Sequence, residues 1–393
     1  MPVTVGLNTV GVEVLNVRDP RFGAVGDGAA DDTAAIQAAA DLAFGTAAAP
    51  HATSAWLNRP LYFPPGRYRV TGHGVAIPKI TGARIFGDAR FAARIANTAG
   101  GSVFRTNGFQ YSEVAGLSLS GTGAATVFDL DYDGEDAFEG AHQGNTFRDI
   151  YTEGGAIGWN VGAAGFMGSE NIWINCHAGD HKAAGYKCSN ANALQNTLVG
   201  GNIQNCGKGV WMNGGSFTVI ESVGFQLSAE YDVQIDYSAY DSVDIIGCRS
   251  ESTNFLNVNV APVMVGLTGI SHLSQAHKNG ELVRNSGGAV RVERAYSTFG
   301  GVRALGAASM EIADCRFGRA DWFASEGLTS DAHIERKRVV YGFLKGQAAG
   351  RVTHDLITKS GAYDYGPAAR PEAVKSTWRW PGAPLFGGKS ANR

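Results

Sequence analysis

Residues 170–176 read ENIWINC, a short apolar group set between polar residues. Similar groups return at 195–201 (QNTLVGG), 217–223 (FTVIESV) and 242–248 (SVDIIGC). The positions taken as equivalent and inward-facing are Ile172, Leu198, Ile220 and Val243, and the steps between them are 26, 22 and 23 residues. A period of about 20–50 residues is typical of solenoids and other repeat architectures.

The composition of these repeats favours stacked strands over paired helices. Each period holds further short apolar segments, such as 209–213 (GVWMN) and 231–236 (YDVQID). β-Branched residues flanked by Gly and Asn cannot supply two amphipathic helices per repeat. We therefore predict an all-β fold, a parallel β-helix built as a single-stranded solenoid. Corners are expected at Asn171, Asn175, Asn196, Asn202 and Asn205, because asparagine tolerates left-handed geometry and can bond the next rung.

The stretch 22–41, FGAVGDGAADDTAAIQAAAD, predicts a sharp turn followed by a helix. Its apolar residues Ile36, Ala39, Ala40 and Ala43 follow the helical period, Asp31 or Asp32 suits the N-cap, and Gly45 ends the helix. A stack of strands needs a cap over its open end, so we expect this helix to be an N-terminal lid. A phosphate-binding loop is the weaker interpretation, because the glycines do not form G-x-G-x-x-G or lead into G-K-[ST].

Composition and charge limit the binding partners and the cellular location that we expect. The net charge of −3, from 33 basic and 36 acidic residues, gives no electrostatic case for nucleic acid. The sequence contains no run of about 18 apolar residues of the kind that predicts membrane insertion, and no secretory leader is recognisable. We therefore expect cytoplasmic synthesis, with a place in a virion or prophage tail, or release by a non-classical route, left open. Five cysteines without C-x-x-C spacing are expected to be reduced, buried thiols.

Four segments are predicted along the chain. Residues 1–16 form an N-terminal extension, 17–75 the cap with the first strands, 76–340 the parallel β-helix, and 341–393 a C-terminal tail or cap. The last segment is proline-rich and carries Trp378 and Trp380, which argues for some burial.

The N-terminal stretch and one of the repeats resemble a known family. Residues 22–41, followed by 61–70 (LYFPPGRYRV), resemble the opening of pectate-lyase superfamily proteins related to glycoside hydrolase family 28. Residues 245–253 (IIGCRSEST) resemble a rung ending common in them. The resemblance implies a right-handed parallel β-helix that binds or acts on polysaccharide. The same family includes bacteriophage tailspikes, which are typically homotrimers, so by analogy the resemblance also implies a homotrimer.

The polygalacturonase motifs of that family are not reproduced. Gly72-His73-Gly74 occurs in the N-terminal segment without an N-T-D motif or a D-D pair on nearby rungs. The adjacent aspartates Asp31 and Asp32 lie in the predicted cap instead. No catalytic residue is carried over from the polygalacturonases.

Strand alternation predicts candidate catalytic residues on the outer surface. The residue after each inward position should point outward, which places Trp173, Val199, Glu221 and Asp244 in one column. Glu221 and Asp244 on neighbouring rungs, about 5 Å apart, would suit the acid and nucleophile of a retaining glycosidase, and Trp173 a sugar-stacking platform. The alternative is that the acids are simply solvated and the tryptophan packs under a loop.

Together with these candidate residues, the resemblance implies a polysaccharide depolymerase of the glycoside hydrolase type, acting on a bacterial surface or acidic polysaccharide. The first alternative is a uronate-specific lyase, in which Arg249 neutralises the uronate carboxylate and Glu251 follows it on the same rung. A surface or intersubunit salt-bridge partner is the favoured interpretation of Arg249. The second alternative is a non-catalytic glycan-binding tail or fibre protein.

Two metal sites are conceivable and neither is required. Asp129, Asp131 and Asp133 before Gly134 resemble the start of a calcium loop, but the twelfth position is Gly140. A strand with a solvated acidic face is the favoured interpretation. The cluster of Cys176, His177, His181 and Cys188 has spacings compatible with zinc, but a core thiol and histidines that do not converge are the favoured interpretation.

Overall fold

The computed structural model describes residues 13–46, 48–51, 57–106, 108–130, 141–162, 168–237, 242–260, 263–273, 280–298, 301–305, 308–317, 323–324, 333–337, 339–341, 344–345, 351–354, 357–359 and 363–364. The chain winds through three long parallel sheets, and one rung is one circuit through all three. The predicted all-β parallel β-helix is confirmed.

Sheets 1 and 2 each contain 14 strands. Sheet 1 consists of Leu15–Asn16, Leu61–Phe63, Arg84–Gly87, Glu113–Ala115, Thr146–Arg148, Ile172–Ile174, Asn196–Val199, Phe217–Glu221, Ser242–Ile246, Met264–Thr268, Ala289–Glu293, Ser309–Ala313, His333–Lys337 and Arg351–His354. Sheet 2 consists of Asp27–Asp31, Gly66–Val70, Ala93–Asn97, Ser118–Gly121, Tyr151–Gly154, His177–Gly179, Asn202–Gln204, Gly224–Gln226, Arg249–Ser250, Ser271–His272, Tyr296–Ser297, Arg316–Phe317, Val339–Tyr341 and Ile357–Lys359.

Sheet 3 contains 11 strands. They are Val75–Ile77, Phe104–Thr106, Thr126–Leu130, Ile157–Val161, Ala184–Cys188, Lys208–Asn213, Val233–Tyr237, Leu256–Val258, Glu281–Asn285, Gly301–Ala304 and Phe323–Ala324. Three short pairs complete the structure: Ile80–Thr81 with Phe109–Gln110, Leu344–Lys345 with Tyr363–Asp364, and the antiparallel pair Gly45–Thr46 with Ala49–Pro50. The predicted boundary at residue 340 therefore falls inside the sheets, and Trp378 and Trp380 lie outside the described residues.

The inward side chains form one continuous core, and the predicted phase is wrong at one strand. Leu198, Ile220 and Val243 are buried as expected, but Ile172 is 39% exposed and Trp173 is fully buried. Trp173 pairs in register with Phe147 on one side and Leu198 on the other. In the sequence Ile-Trp-Ile every residue is apolar, so alternation cannot decide the phase, and the larger indole takes the inward position.

The corner between sheets 1 and 2 repeats in nearly every rung. Its first residue has a positive φ, between 51° and 69°, at Gly116, Asp149, Asn175, Gly200, Ser222, Gly247, Gly269, Arg294 and Asp314. The predicted role of asparagine at corners is confirmed for Asn175 and Asn205, which both adopt this conformation. Inside the stack the Asn145 amide donates to Asn171 Oδ1 (2.8 Å), and the Asn171 amide donates to Asn196 Oδ1 (3.1 Å). This ladder satisfies buried amides from rung to rung.

The single α-helix of the described residues, Thr33–Phe44, is the predicted N-terminal cap. Its buried face consists of Ile36, Ala39, Ala40, Ala43 and Phe44. The Gln37 side chain donates to the Ala76 carbonyl and accepts from the Ala76 amide, both at 2.9 Å, so it occupies the open edge of sheet 3. Asp32 is the N-cap residue, yet its carboxylate accepts from the Val25 and Gly26 amides and not from the helix.

The predictions about cysteines are confirmed, since all five are free and buried. Burial raises the pKa of the Cys206 thiol to about 12 and that of Cys248 to about 11, which keeps both thiols protonated and unreactive at neutral pH. Within the described part of the chain no helix is long and apolar enough to cross a membrane.

Asp232 gives the interior a testable pH dependence. It is completely buried, accepts a hydrogen bond from Ser250 Oγ (2.5 Å), and its Oδ1 lacks a partner among the described residues. Burial raises the pKa of Asp232 to about 7 from 3.8. The folded state therefore holds the proton more tightly than the unfolded chain, so stability falls as pH rises from about 4 to about 7.

Asp232→Asn is expected to remove the loss of stability that Asp232 causes as the pH rises. The free energy of unfolding should increase by up to about 4 kcal/mol near pH 8, with little change near pH 4. Urea unfolding at both pH values measures the difference. An equal effect at the two pH values would show that Asp232 does not titrate in this range.

Candidate functional site

The structure places Glu221 and Asp244 on the same outer face of sheet 1, where both are exposed. The prediction that the two side chains stand directly beside each other on neighbouring strands is wrong. Glu221 pairs in register with Ile246, and Asp244 pairs with Val219. The two acids are therefore offset by two residues along the strand as well as by one rung, which is roughly 8 Å between Cα atoms. The sequence alignment of the repeats set Ile220 against Val243, whereas in the sheet Ile220 pairs with Ile245. The error is two residues, so it leaves the inward and outward alternation of the strand unchanged. Their catalytic role stays a prediction.

The other residues of the predicted site do not join them. Trp173 cannot act as a stacking platform, because it lies in the core with ring centroids of Phe147 and Phe217 at 5.1 and 5.4 Å. Arg249 lies on sheet 2, Glu251 follows directly after its strand, and the two form an ion pair with each other. That contact is the surface ion pair expected as the alternative for Arg249.

The predicted metal sites are not assembled by the described residues. Asp131 and Asp133 lie outside them, and Asp129 accepts a hydrogen bond from the Asn160 amide at 2.9 Å. Of the zinc candidates, His181 is buried beside Thr152 Oγ1 (3.1 Å) while His177 faces the outer surface of sheet 2. Within the described ranges no three His, Cys, Asp or Glu side chains converge.

A groove of about 610 Å³ runs along the outer face of sheet 2. Its lining begins at Gly28 of the strand Asp27–Asp31. From the strand Gly66–Val70 to the strand Asn202–Gln204 it crosses six successive strands of this sheet. At about 4.8 Å per rung that is roughly 24 Å, the length of an extended ligand. Its charged, polar and aromatic lining includes Arg67, Arg69, Phe91, Arg94, Ser118, Tyr151, Glu153, His177, Asn202 and Gln204.

One end of the groove carries three arginines, and Asp27 and Asp31 of the neighbouring strand pair in register with two of them, Arg67 and Arg69. Arg67 and Arg94 are paired in register on neighbouring rungs, and Arg69 follows Arg67 on the same face. Neither Arg67 nor Arg94 has a carboxylate partner within the described part of the chain; Arg94 donates to the Phe91 carbonyl at 3.1 Å. Among the described lining residues Glu153 is the single acid. The positive charge that Asp27 and Asp31 do not offset favours an anionic ligand at this end.

An aromatic wall stands beside this cationic end. Phe91, in the loop before the strand Ala93–Asn97, is 49% exposed and has φ of 75°. Its amide donates to Ser118 Oγ at 3.1 Å, and its ring centroid lies 5.3 Å from that of Tyr151. The two rings give the groove an apolar surface of the kind on which sugar rings stack.

His177 and Tyr151 are direct neighbours across the floor, paired in register in sheet 2. Burial and the nearby Arg90 lower the pKa of His177 to about 4, so its imidazole is neutral at pH 7. The Asn175 side-chain amide donates to Asp149 Oδ1 (2.6 Å), so Asn175 Oδ1 is left to accept a hydrogen bond from His177 Nε2 (3.3 Å). The proton of the neutral imidazole is therefore on Nε2, and Nδ1 carries the lone pair. Burial and Glu153 raise the pKa of the Tyr151 hydroxyl, which stays protonated. A neutral base therefore stands next to a proton donor.

The outer face of sheet 3 is also polar, but its groups are already paired with one another. Trp211 Nε1 donates to Asp236 at 2.7 Å, and the Lys187 and Lys208 ammonium groups lie 4.8 and 4.7 Å from the Trp211 ring centroid. Lys208 also forms an ion pair with Glu230 at 2.7 Å. The groove on sheet 2 is the better candidate site because Arg67 and Arg94 have no carboxylate partner among the described residues.

Comparisons with known proteins agree with the fold. Residues 14–132 match the family model described as rhamnogalacturonase A/epimerase, pectate lyase-like. This match confirms the resemblance seen in residues 22–41 and 61–70 and extends it to the first rungs of the groove. A search of curated protein sequences found no match.

Solved structures share the architecture at low identity. The bacteriophage phi29 gene product 12 N-terminal fragment aligns with a TM-score of 0.50 and 12% identity, over 86% of this chain and 70% of that one. Geobacillus virus E2 ORF18 aligns with a TM-score of 0.43 and 15% identity, over 89% of this chain and 61% of that one. The A-module of the mannuronan C-5 epimerase AlgE4 of Azotobacter vinelandii aligns with a TM-score of 0.40 and 14% identity, over 90% of this chain and 98% of that one. The chain thus spans 61% of the length of the Geobacillus virus protein. At 12% identity and a TM-score of 0.50, the alignment with the phi29 fragment supports a shared fold alone.

Proposed function

We propose that this protein binds an acidic polysaccharide along the sheet 2 groove and cleaves it by β-elimination. The observation that carries the proposal is a roughly 24 Å groove whose described lining holds Arg67, Arg69 and Arg94 against one carboxylate, Glu153. Guanidinium groups bind carboxylates by paired hydrogen bonds. The ligand is therefore a chain of sugars with acidic groups rather than a neutral glucan.

The reaction follows from the groups at the floor. Arg67 and Arg94 lie three to four rungs from His177, roughly 14–19 Å, so they hold carboxylates of other sugar units. The arginine whose charge acts on His177 is Arg90. Arg90 neutralises the carboxylate of the reacting uronate unit, which acidifies the proton on the adjacent carbon, C5. His177 Nδ1 takes that proton, the C4–O4 bond breaks as a C4=C5 double bond forms, and the Tyr151 hydroxyl protonates the leaving oxygen. Exchange with water then returns a proton to Tyr151 and removes one from His177.

Hydrolysis is a second candidate, and it rests on different residues. Glu221 and Asp244 share the exposed face of sheet 1, around the edge from the groove. A hydrolase would use two carboxylates flanking the bond. The two candidates predict different products, since hydrolysis yields reducing ends without a new double bond.

The proposal is tested by incubating the protein with a panel of acidic and neutral polysaccharides. Acidic polymers should bind, and the products should absorb in the near ultraviolet through the new double bond. Replacing Arg67 and Arg94 together with Gln is expected to weaken binding at least about tenfold, because charge-assisted hydrogen bonds are lost. Higher salt should weaken binding by the wild type in the same direction.

Arg291→Gln is the matched control. Arg291 is an exposed arginine on sheet 1 whose partners are Glu293 and Glu311, so its replacement should leave binding unchanged. Binding of neutral and acidic polymers with equal affinity would contradict the proposal. Binding without any cleavage would leave the groove as a glycan-binding site and remove the catalytic part.

A further inference from the structure

A second cavity, of about 430 Å³, lies on the other side of the Phe91 wall. Phe91 lines both cavities, whereas Arg94 lines the groove and Arg90 lines the second cavity. The Cζ atoms of Arg90 and Arg94 lie 5.6 and 5.7 Å from the Phe91 ring centroid. The volume falls in the usual range for small-ligand sites.

The floor of this cavity is bare backbone. Gly87 and Gly116 pack against each other, and a Cβ on Gly87 would stand 2.6 Å from the Gly116 carbonyl oxygen. Gly116 also has φ of 68°, a conformation that glycine adopts without strain. Because neither residue carries a side chain, the space between the surrounding arginines stays open.

Three arginines surround that space. Arg84 and Arg148 share the carboxylate of Glu113, at 3.4 and 2.7 Å, and Arg148 also forms an ion pair with Asp149 at 3.6 Å. Arg90 donates to the Asn175 carbonyl at 3.1 Å and has no acidic partner among the described residues. The guanidinium of Arg84 also lies over the Phe86 ring, with Cζ 5.0 Å from the centroid, which fixes its position.

The acceptors around the cavity are engaged by the protein itself. Asp88 accepts from the Tyr62 hydroxyl at 2.6 Å, and Asp149 accepts from the Asn175 amide at 2.6 Å. Each guanidinium has five N–H donors, more than these contacts use. Asp149 also pairs with Arg148, and the carboxylates of Asp88 and Asp149 keep some acceptor capacity. The three guanidinium groups still offer more free donors than these carboxylates offer acceptors, which suits an anionic group.

We propose that the second cavity binds a carboxylate-bearing side group of the same polysaccharide, whose main chain lies in the sheet 2 groove. This inference rests on the proposed function for its substrate class. The two cavities meet at Phe91, so a branch leaving the main chain there passes directly from one into the other. The protein would then prefer a branched acidic polysaccharide to a linear one.

The test uses methyl β-D-glucuronide, a single anionic sugar, and its neutral counterpart methyl β-D-glucoside, in saturation-transfer NMR. The protein carries Arg67→Gln and Arg94→Gln, which disable the cationic end of the groove. Glucuronide should still bind to this protein and glucoside should not. Adding Arg84→Gln and Arg148→Gln should weaken glucuronide binding at least about tenfold, while adding Arg291→Gln should leave it unchanged.

Each outcome decides the inference. Loss of glucuronide binding on disabling the groove alone, or unchanged binding after loss of Arg84 and Arg148, would overturn it. All replaced residues are exposed arginines, and thermal unfolding of each variant confirms that the fold is retained. Failure of the proposed function looks different, because no polymer in the panel would bind or be cleaved while the glucuronide still binds to the second cavity.

Discussion

Replacing Tyr151 with Phe is expected to lower kcat for polysaccharide cleavage by about 10²–10⁴-fold, the usual contribution of a general acid. The ring remains, so its contact with Phe91 at 5.3 Å and the affinity for polysaccharide should persist. His177→Gln should lower kcat to a similar extent by removing the base. Initial rates measured from the double-bond absorbance, together with binding by the same variants, separate the two effects.

The pH profile of the wild type checks the same assignment. Burial and Arg90 hold the pKa of His177 near 4, so its basic form is present at every pH above that value. Tyr151 stays protonated through neutral pH because burial and Glu153 raise its pKa. Activity should therefore fall only as pH drops through about 4, and it should be level from there to neutral pH.

Tyr296→Phe is the matched control for Tyr151. Tyr296 is an exposed tyrosine at the first outward position of its own sheet 2 strand, Tyr296–Ser297, away from the groove. Its replacement should leave kcat unchanged. If Tyr151→Phe and Tyr296→Phe behave alike, Tyr151 is not the proton donor and the elimination mechanism is wrong.

Trp173→Ala is expected to destabilise the protein by about 3–5 kcal/mol. The indole is fully buried in a layer with Phe147, Trp159, Tyr186 and Phe217, at centroid distances of 5.1–6.0 Å. Its removal leaves a cavity that parallel strands on both sides cannot close without shifting register. Denaturant or thermal unfolding of the variant measures the loss.

Ile172→Ala is the control on the same strand. Ile172 points to solvent, so its truncation should cost far less than that of Trp173. Equal losses at the two positions, or a larger loss at Ile172, would show that the strand has the opposite phase.

The fold was predictable because its signals are local and repeated. The helix Thr33–Phe44 follows from alanine spacing, and the corners follow from residues such as Asn175 that tolerate positive φ. The phase of Ile172–Ile174 was not predictable, because three apolar residues in a row satisfy either alternation. The space inside the rung decides it, and that space is set by neighbours such as Phe147 and Leu198 from other rungs.

The site was less predictable, because no short segment contains it. The groove joins Arg67, Arg94, Tyr151 and His177 from four different rungs, and their alignment depends on the length of every corner between them. The search for paired acids led to Glu221 and Asp244, whose register is shifted by two residues. The signal that was available is the outward arginine of two early strands, Arg67 in 66–70 and Arg94 in 93–97.

The most direct measurement of ligand binding in the sheet 2 groove is a structure of the Tyr151→Phe variant with an acidic oligosaccharide bound. We expect sugar units along sheet 2, with a carboxylate on Arg67 or Arg94 and a sugar ring against Phe91. Oligosaccharide bound instead across Glu221 and Asp244 on sheet 1, or along Trp211 on sheet 3, would contradict this expectation.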